Sequence, residues 1–261
     1  MIDGHVHLEK GPLDLDYLDE FVFYAQKAGL EGIQILDHTH RFTEFAEIYR
    51  GIRNASLLQQ NWIDDRMKDS LSDYISLIDQ AKKKKYTINL KFGLEVCYTK
   101  NTEHILKGIL RAYKFDFLVG AVHSVFDYLY DIDSFSKELL WSRYCADDIY
   151  KEYYENMLSL IKSGLFTQAA HPDVIKLYNI YPSYNLIDTY SDIAKLALEK
   201  DIYIENNFGC YYRYGHMDLG LSEQFLSVLR NKGVKIILAS DAHVPKDVGR
   251  CFYEYIKRAA L

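Results

Sequence analysis

The sequence predicts an α/β fold in which seven strand–helix units close into a parallel barrel, and three observations predict it. Short β-rich apolar runs alternate with longer stretches of helical period seven times along 261 residues. Strand followed by helix, repeated, gives a parallel sheet with right-handed crossovers, and seven units in 261 residues fit a barrel better than a doubly wound sheet, which periodicity alone leaves open. No Pro/Gly/Ser-rich linker or shift in composition divides the chain, and its length suits one α/β barrel, so 1-261 reads as a single domain. Metal-ligand residue types also recur where the strands end, and in a parallel barrel those ends share one rim.

The elements follow in order. Ile2–His7 reads as the first strand and Asp14–Ala28 as its helix; Gly32–Asp37 is the second strand. Arg41–Leu71 is the longest stretch without clear period and reads as an irregular insert or lid over the site. The later strands are Ile88–Val96, Phe117–His123, Phe166–His171, Ile202–Asn206 and Val234–Asp241. Helices are predicted at Ser72–Lys84, Thr102–Tyr113, Asp148–Lys162, Asp188–Glu199, Ser222–Asn231 and Val248–Ala259. Gly29, Gly164 and Gly233 each follow a helix and precede a strand, the place of a left-handed cap. Lys82–Lys85 falls at a helix C-terminus, where cations favour the dipole, and so reads as a solvated end.

Composition narrows the class. A hydrophobic share of 49% with 26% charged residues is that of a globular chain. Thirty-one Lys plus Arg against 37 Asp plus Glu leave −6, a balance that argues against binding nucleic acid by phosphate neutralisation. No apolar run approaches the roughly 20 residues that span a bilayer, and the N-terminus lacks the features of a signal peptide. A cytoplasmic protein is expected. Cys97, Cys145, Cys210 and Cys251 are far apart and read as reduced thiols.

The nine histidines carry the functional signal. His5 and His7 close the first strand, His38 and His40 follow the second, and Glu95 lies near the end of the third. His123 ends the fourth strand, His171 the fifth, and Asp241 with His243 the seventh. Residues i and i+2 of a strand point to one face, so His5 with His7, and Asp241 with His243, can each converge on a point. His104, inside a helix, and His216, in a loop, read as surface residues.

This series of motifs resembles the polymerase-and-histidinol-phosphatase (PHP) family, in its histidinol-phosphatase branch. The motifs are H-x-H at His5/His7, D-H at His38, G-L-E at Glu95, G-x-V-H at His123, A-H-P-D at His171 and S-D-A-H at Asp241/His243. The runs His7–Pro12, His38–Phe42 and Ile204–Asn207 point to the phosphatase branch. The resemblance implies a distorted seven-stranded (βα)7 TIM-like barrel holding two to three divalent metal ions. It implies a first metal on His5, His7, Glu95 and Asp241, and a second on Glu95, His123 and His171. A third would take His38, His243 and a group shortly after the H-x-H. Relatives often carry a further His there, whereas Leu8–Asp19 has none, and Glu9 is the candidate, with Asp14 and Asp16 behind it.

Imidazoles with carboxylates suit Zn²⁺, Fe²⁺ or Mn²⁺ better than Mg²⁺. Two ions sharing Glu95 would share a water of lowered pKa, a source of hydroxide for in-line attack on phosphorus in which Glu95, Asp241 and His243 take part. A phosphate dianion needs further positive charge, for which Arg213 and Arg41 are the candidates. His40 is the candidate acid for the leaving alkoxide. Tyr128, Tyr130, Tyr211 and Tyr212 could serve as lid or stacking groups or simply as core.

The resemblance makes the expected substrate L-histidinol phosphate, a small phosphate ester, hydrolysed during histidine biosynthesis. Alternatives are a PHP phosphoesterase for phosphotyrosine protein, another small monoester or a nucleic-acid 3′ end, or a metal-binding module without catalysis. Neither nucleic acid nor membrane is an expected partner, and the oligomeric state is left open.

Overall fold

A computed structural model of the protein describes residues 1–259. Its strands are β1 (Ile2–His7), β2 (Gly32–Leu36), β3 (Asn89–Cys97), β4 (Phe117–Ala121), β7 (Gln168–Ala169), β8 (Tyr203–Asn207) and β9 (Ile236–Ala239), with a small hairpin of β5 (Ser124–Val125) and β6 (Tyr128–Leu129). The seven main strands pair in parallel, in the order β1-β2-β3-β4-β7-β8-β9. The first and last strands approach to close the barrel. Val6 bridges to Ala242 in parallel, and the backbone N–H of His7 donates to the Ala242 carbonyl at 2.8 Å. Below that bridge the Asp3 carboxylate on β1 accepts from the backbone N–H and hydroxyl of Ser240 and from Gly249 N–H. The distortion is thus a β1–β9 seam joined mainly through one buried side chain.

The helices are α1 (Leu15–Lys27), α2 (Arg50–Ala55), α3 (Leu57–Asp64), α4 (Leu71–Lys83), α5 (Glu103–Leu110), α6 (Ala146–Ser163), α7 (Ile187–Glu199), α8 (Gly209–Tyr214), α9 (Glu223–Lys232) and α10 (Phe252–Ala259). Each long helix buries a stripe at helical spacing; α1 turns Leu18, Phe21, Val22 and Ala25 inward, and the Asp14 side chain caps its start by accepting from Tyr17 N–H. Asp14 is therefore a cap and Asp16 an exposed first-turn residue, so neither stands behind Glu9 as a ligand. The three glycines expected to end helices all lie in the left-handed region: Gly29 at φ 70°, Gly164 at 66° and Gly233 at 73°.

Four expectations change. The insert is largely helical: a short 3-10 stretch at Thr43–Tyr49 leads into α2 and α3, and Phe45, Ile48, Tyr49, Ile52 and Ile63 join the core. Its period escapes notice because Ser56 ends one short helix and caps the next. The fifth and seventh strands are shorter than predicted because His171 (φ 27°) and Asp241 (φ 57°) turn out of the ladder. His216 is buried, its Nδ1 accepting from the Asp218 N–H, whereas His104 is exposed as expected. The terminal helix begins at Phe252, later than Val248, because Gly249 (φ 70°) and Cys251 (φ 69°) are left-handed.

The many tyrosines mostly build the core while bonding main-chain carbonyls. Tyr74 donates to Gly93 O, Tyr130 to Val122 O and Tyr150 to Ile180 O. All four cysteines are unpaired. Among the described residues no helix is long and apolar enough to cross a membrane.

Candidate active site

At the C-terminal ends of the strands, Glu95 sits at the centre of the histidine array, itself only 1% exposed. Its two oxygens face different partners. Oε1 lies 3.2 Å from His123 Nε2 and 3.0 Å from His171 Nε2. Oε2 lies 3.2 Å from His5 Nε2, 3.4 Å from His7 Nε2 and 2.9 Å from His38 Nε2. His5 and His7, two residues apart on β1, bring their Nε2 atoms within 2.8 Å, and Asp241 Oδ1 lies 3.3 Å from His7 Nε2. Farther out, Glu9 bridges two imidazoles, with Oε2 at 2.7 Å from His38 Nδ1 and Oε1 at 2.7 Å from His243 Nδ1.

The donor set fits divalent metal. An ion held tetrahedrally by bonds of about 2.1 Å sets its ligand atoms about 3.4 Å apart, close to the separations here. Three-donor groups form at His5/His7/Asp241, Glu95/His123/His171, His7/His38/Glu95, His7/Glu9/His243 and Glu9/His38/His40. Two bare imidazole nitrogens facing each other, as in His5 and His7, gain little without a proton or cation between them. Outer partners fix some ligands: His5 Nδ1 meets Glu205 Oε1 at 2.7 Å, which leaves Nε2 turned to the cluster. Glu205 is itself held by Gln168, Asn207 and the His171 N–H.

The electrostatics agree with this arrangement. Burial alone would raise the Glu95 carboxyl, but the imidazoles of His38, His5 and His123 outweigh it and hold the group well below the usual carboxylate range. For Asp241 burial is likewise outweighed, here by the Arg213 guanidinium and His243. Burial, with His38 and His243 beside it, keeps His7 neutral. Against burial, the same carboxylates, Glu95 in every case, push the imidazoles of His5, His38, His171 and His123 up, the last to about 9. A cation binding there would compete with protons, while ionised carboxylates and neutral imidazoles are the forms that bind it.

Two of these residues, His171 and Asp241, occupy left-handed backbone, which non-glycine residues rarely adopt. Tyrosines support both carbonyls: Tyr153 donates to His171 O at 3.3 Å and Tyr212 to Asp241 O at 3.1 Å. Arg213 then grips Asp241 at both Oδ2 and the carbonyl, each at 2.6 Å. That pair needs Gly209, where a Cβ would come within 2.5 Å of Arg213 and 2.7 Å of Asp241.

A cavity of about 260 Å³ opens onto the cluster. Glu9, His38, His40, His123, His171, Asp241 and His243 form its polar floor, and Lys10, Arg66 and Arg213 its cationic side. Arg66, reached from the insert, lies over the Trp62 ring at 3.8 Å from the centroid. Leu129, Ile132, Val174 and Leu177 supply the apolar wall.

One expected role is corrected. Arg41 is bonded to Asp37, Asp69 and the Gly11 carbonyl, so its guanidinium ties loops together and does not line the cavity on the cluster. His40 does line it, and burial with the neighbouring His38 pushes its pKa down to about 4, which favours the neutral imidazole. Of the tyrosines singled out, Tyr130 is core, Tyr128 is half-buried beside Tyr144, Tyr211 bonds Glu254 and Tyr212 supports Asp241; Tyr49 and Tyr214 line the cavity instead. Sequence reading missed Arg66, Lys10 and Asp131 on the wall and the part of Glu205 behind His5. Arg66 and Asp131 stand outside any motif, whereas Lys10 and Glu205 lie within the noted runs His7–Pro12 and Ile204–Asn207.

Comparison with known proteins points to one family. A "Probable histidinol-phosphatase" of Deinococcus radiodurans is 24% identical over 265 residues, covering 98% of this chain and 92% of that protein. The histidinol-phosphatase of Bacillus subtilis is also 24% identical, covering 98% of each. Among solved structures, histidinol phosphate phosphatase from Lactococcus lactis, complexed with Zn, L-histidinol and phosphate, superposes with a TM-score of 0.68 at 18% identity, covering 99% of this chain and 91% of that one. The PHP domain model matches residues 3–208, which include every strand up to β8 and seven of the nine residues expected as ligands, and the chain belongs to the PHP domain family.

Proposed function

We propose that the protein is a metal-dependent phosphomonoesterase that hydrolyses L-histidinol phosphate to L-histidinol and phosphate. The observation that carries the reading is the two-sided Glu95, with His123 and His171 on one oxygen and His5, His7 and His38 on the other. A carboxylate so placed is suited to bridge two ions. His5, His7, Glu95 and Asp241 would hold one, and Glu95, His123 and His171 the second. His38, His243 and Glu9 would hold a third, with Zn, Fe or Mn as the metals matched to these donors. Such ions, when bound, supply Lewis acidity for the phosphoryl oxygens and a water acidic enough to give hydroxide near neutral pH.

The chain's own residues have separate tasks. Arg66 and Lys10, at the cavity edge, and the N–H groups that Arg213 does not spend on Asp241 would bind the phosphoryl oxygens. Trp62 holds the Arg66 guanidinium flat against its face. Arg213 keeps Asp241 ionised and in place, and Glu205 sets the tautomer of His5. In the reaction an oxygen of water bonds to phosphorus, the P–O bond to the alcohol breaks, and that oxygen takes a proton.

The substrate follows the relatives named as histidinol-phosphatases and the Lactococcus lactis complex. Phosphate release from histidinol phosphate and from p-nitrophenyl phosphate, measured after loading with Mn²⁺ or Zn²⁺, tests it. The expected kcat/KM is at least about 100-fold higher for histidinol phosphate, or about 3 kcal/mol of discrimination. Equal values would reject the substrate while sparing the phosphatase reading.

A further inference from the structure

Three carboxylates line the cavity, Glu9, Asp241 and Asp131, and two of them are occupied. Glu9 pairs with His38 and His243, and Asp241 with Arg213, His7 and His243. Asp131 differs. Among the described residues no Lys, Arg or His nitrogen comes within the 4.0 Å of an ion pair with it. The positive groups that act on it from a distance are the imidazoles of His123, His171 and His38, across the cavity floor. Burial lifts its carboxyl above the usual value, the mark of a charge without a counterion.

The backbone carrying Asp131 is pinned on both sides. Leu129 N–H donates to Gln59 Oε1 at 2.7 Å, and Ser136 Oγ donates to Leu129 O at 2.7 Å. Tyr130 O accepts from Trp141 Nε1 at 3.0 Å, and Ile132 N–H donates to Ser136 Oγ at 2.9 Å. A backbone held this firmly keeps Asp131 at the cavity wall, and a carboxylate there without a cationic partner among the described residues is placed for a cation from outside.

We propose that Asp131 is a specificity-determining residue that pairs with the α-ammonium of an amino-alcohol phosphate, so that the site prefers phosphate esters with a cationic nitrogen one carbon from the phosphorylated carbon. This rests on the proposed function and adds to it the group that recognises the alcohol. The charge of His123 and His171 reaches Asp131 across the cavity, so a phosphate held beside them would bring a neighbouring ammonium toward that carboxylate. The remainder of the substrate then runs along Leu129, Ile132, Val174 and Leu177, an apolar surface suited to a flat ring.

The test compares histidinol phosphate with 3-(imidazol-4-yl)propyl phosphate, the same ester without its amine, on metal-loaded wild type and Asp131→Asn. The readout is the ratio of the two kcat/KM values. Wild type should favour histidinol phosphate by about 10- to 100-fold, the span of a hydrogen-bonded charge pair, and Asp131→Asn should bring the ratio to within about threefold of one. A wild-type ratio near one overturns the inference without recourse to the variant. So does an unchanged ratio in Asp131→Asn, whatever its activity, because a structural or proton-transfer role would lower both substrates alike. Failure of wild type to release phosphate from either ester would instead remove the proposed function, and the inference with it.

Discussion

Glu9 Oε1 lies 2.7 Å from His243 Nδ1, joining the loop after the first barrel strand to the loop after the last. Its other oxygen is equally close to His38, so one side chain stands where the family resemblance leads one to expect an imidazole. Burial opposes its charge, but His38 and His243 hold its carboxyl well below the usual range, so it enters the cluster as an anion.

Replacing Glu9 with Gln should therefore lower bound metal by about one ion per chain and cut phosphate release by about 10- to 100-fold. Elemental analysis alongside the assay checks both. Wild-type metal content in Glu9→Gln would mean that His38 and His243 hold their ion without it, or hold none.

The arginine assignments separate into affinity and stability. Arg66→Ala should raise KM for the phosphate ester about tenfold and leave the melting temperature close to wild type, since Arg66 is exposed and, among the described residues, its guanidinium hydrogen-bonds the Trp62 carbonyl alone. Arg41→Ala should do the reverse. It leaves the fully buried Asp37, which burial already raises to about 7, without its counterion, at a cost of about 3 kcal/mol. Thermal melts and steady-state kinetics on both variants check the division, and a KM effect confined to Arg41→Ala would reverse it.

Glu205 makes no donor group of the cluster itself, yet it faces His5 Nδ1 at 2.7 Å. Glu205→Gln should weaken metal binding by about 10- to 100-fold through the misdirected imidazole. Competition with a chelator measures this. An unchanged metal affinity would make Glu205 merely a part of the barrel packing.

Much of this was legible in the sequence, for a physical reason. Strand periodicity and glycine punctuation are local, so the seven strands and the caps at Gly29, Gly164 and Gly233 follow from neighbours along the chain. Ligand types at strand ends became a cluster because a parallel barrel brings those ends to one rim. What escaped was non-local. Arg41 is held by Asp69 and the Gly11 carbonyl as well as by Asp37 four residues before it, and the two distant partners depend on how the insert folds back. Arg66 and Asp131 meet at the cavity from opposite sides of the chain's course, and neither sits in a motif. His216 reads as a surface residue because its partner Tyr181 lies 35 residues away in the chain.

The central claim is that Glu95 joins two halves of one metal centre that hydrolyses a phosphate ester. Metal content and phosphate release, measured on the same preparations of wild type and Glu95→Gln, test it most directly. Wild type should carry about two to three ions per chain on the donor sets described, and Glu95→Gln should lose both metal and about a thousandfold in turnover. Full turnover in that variant, or full turnover in wild type stripped of metal, would contradict it.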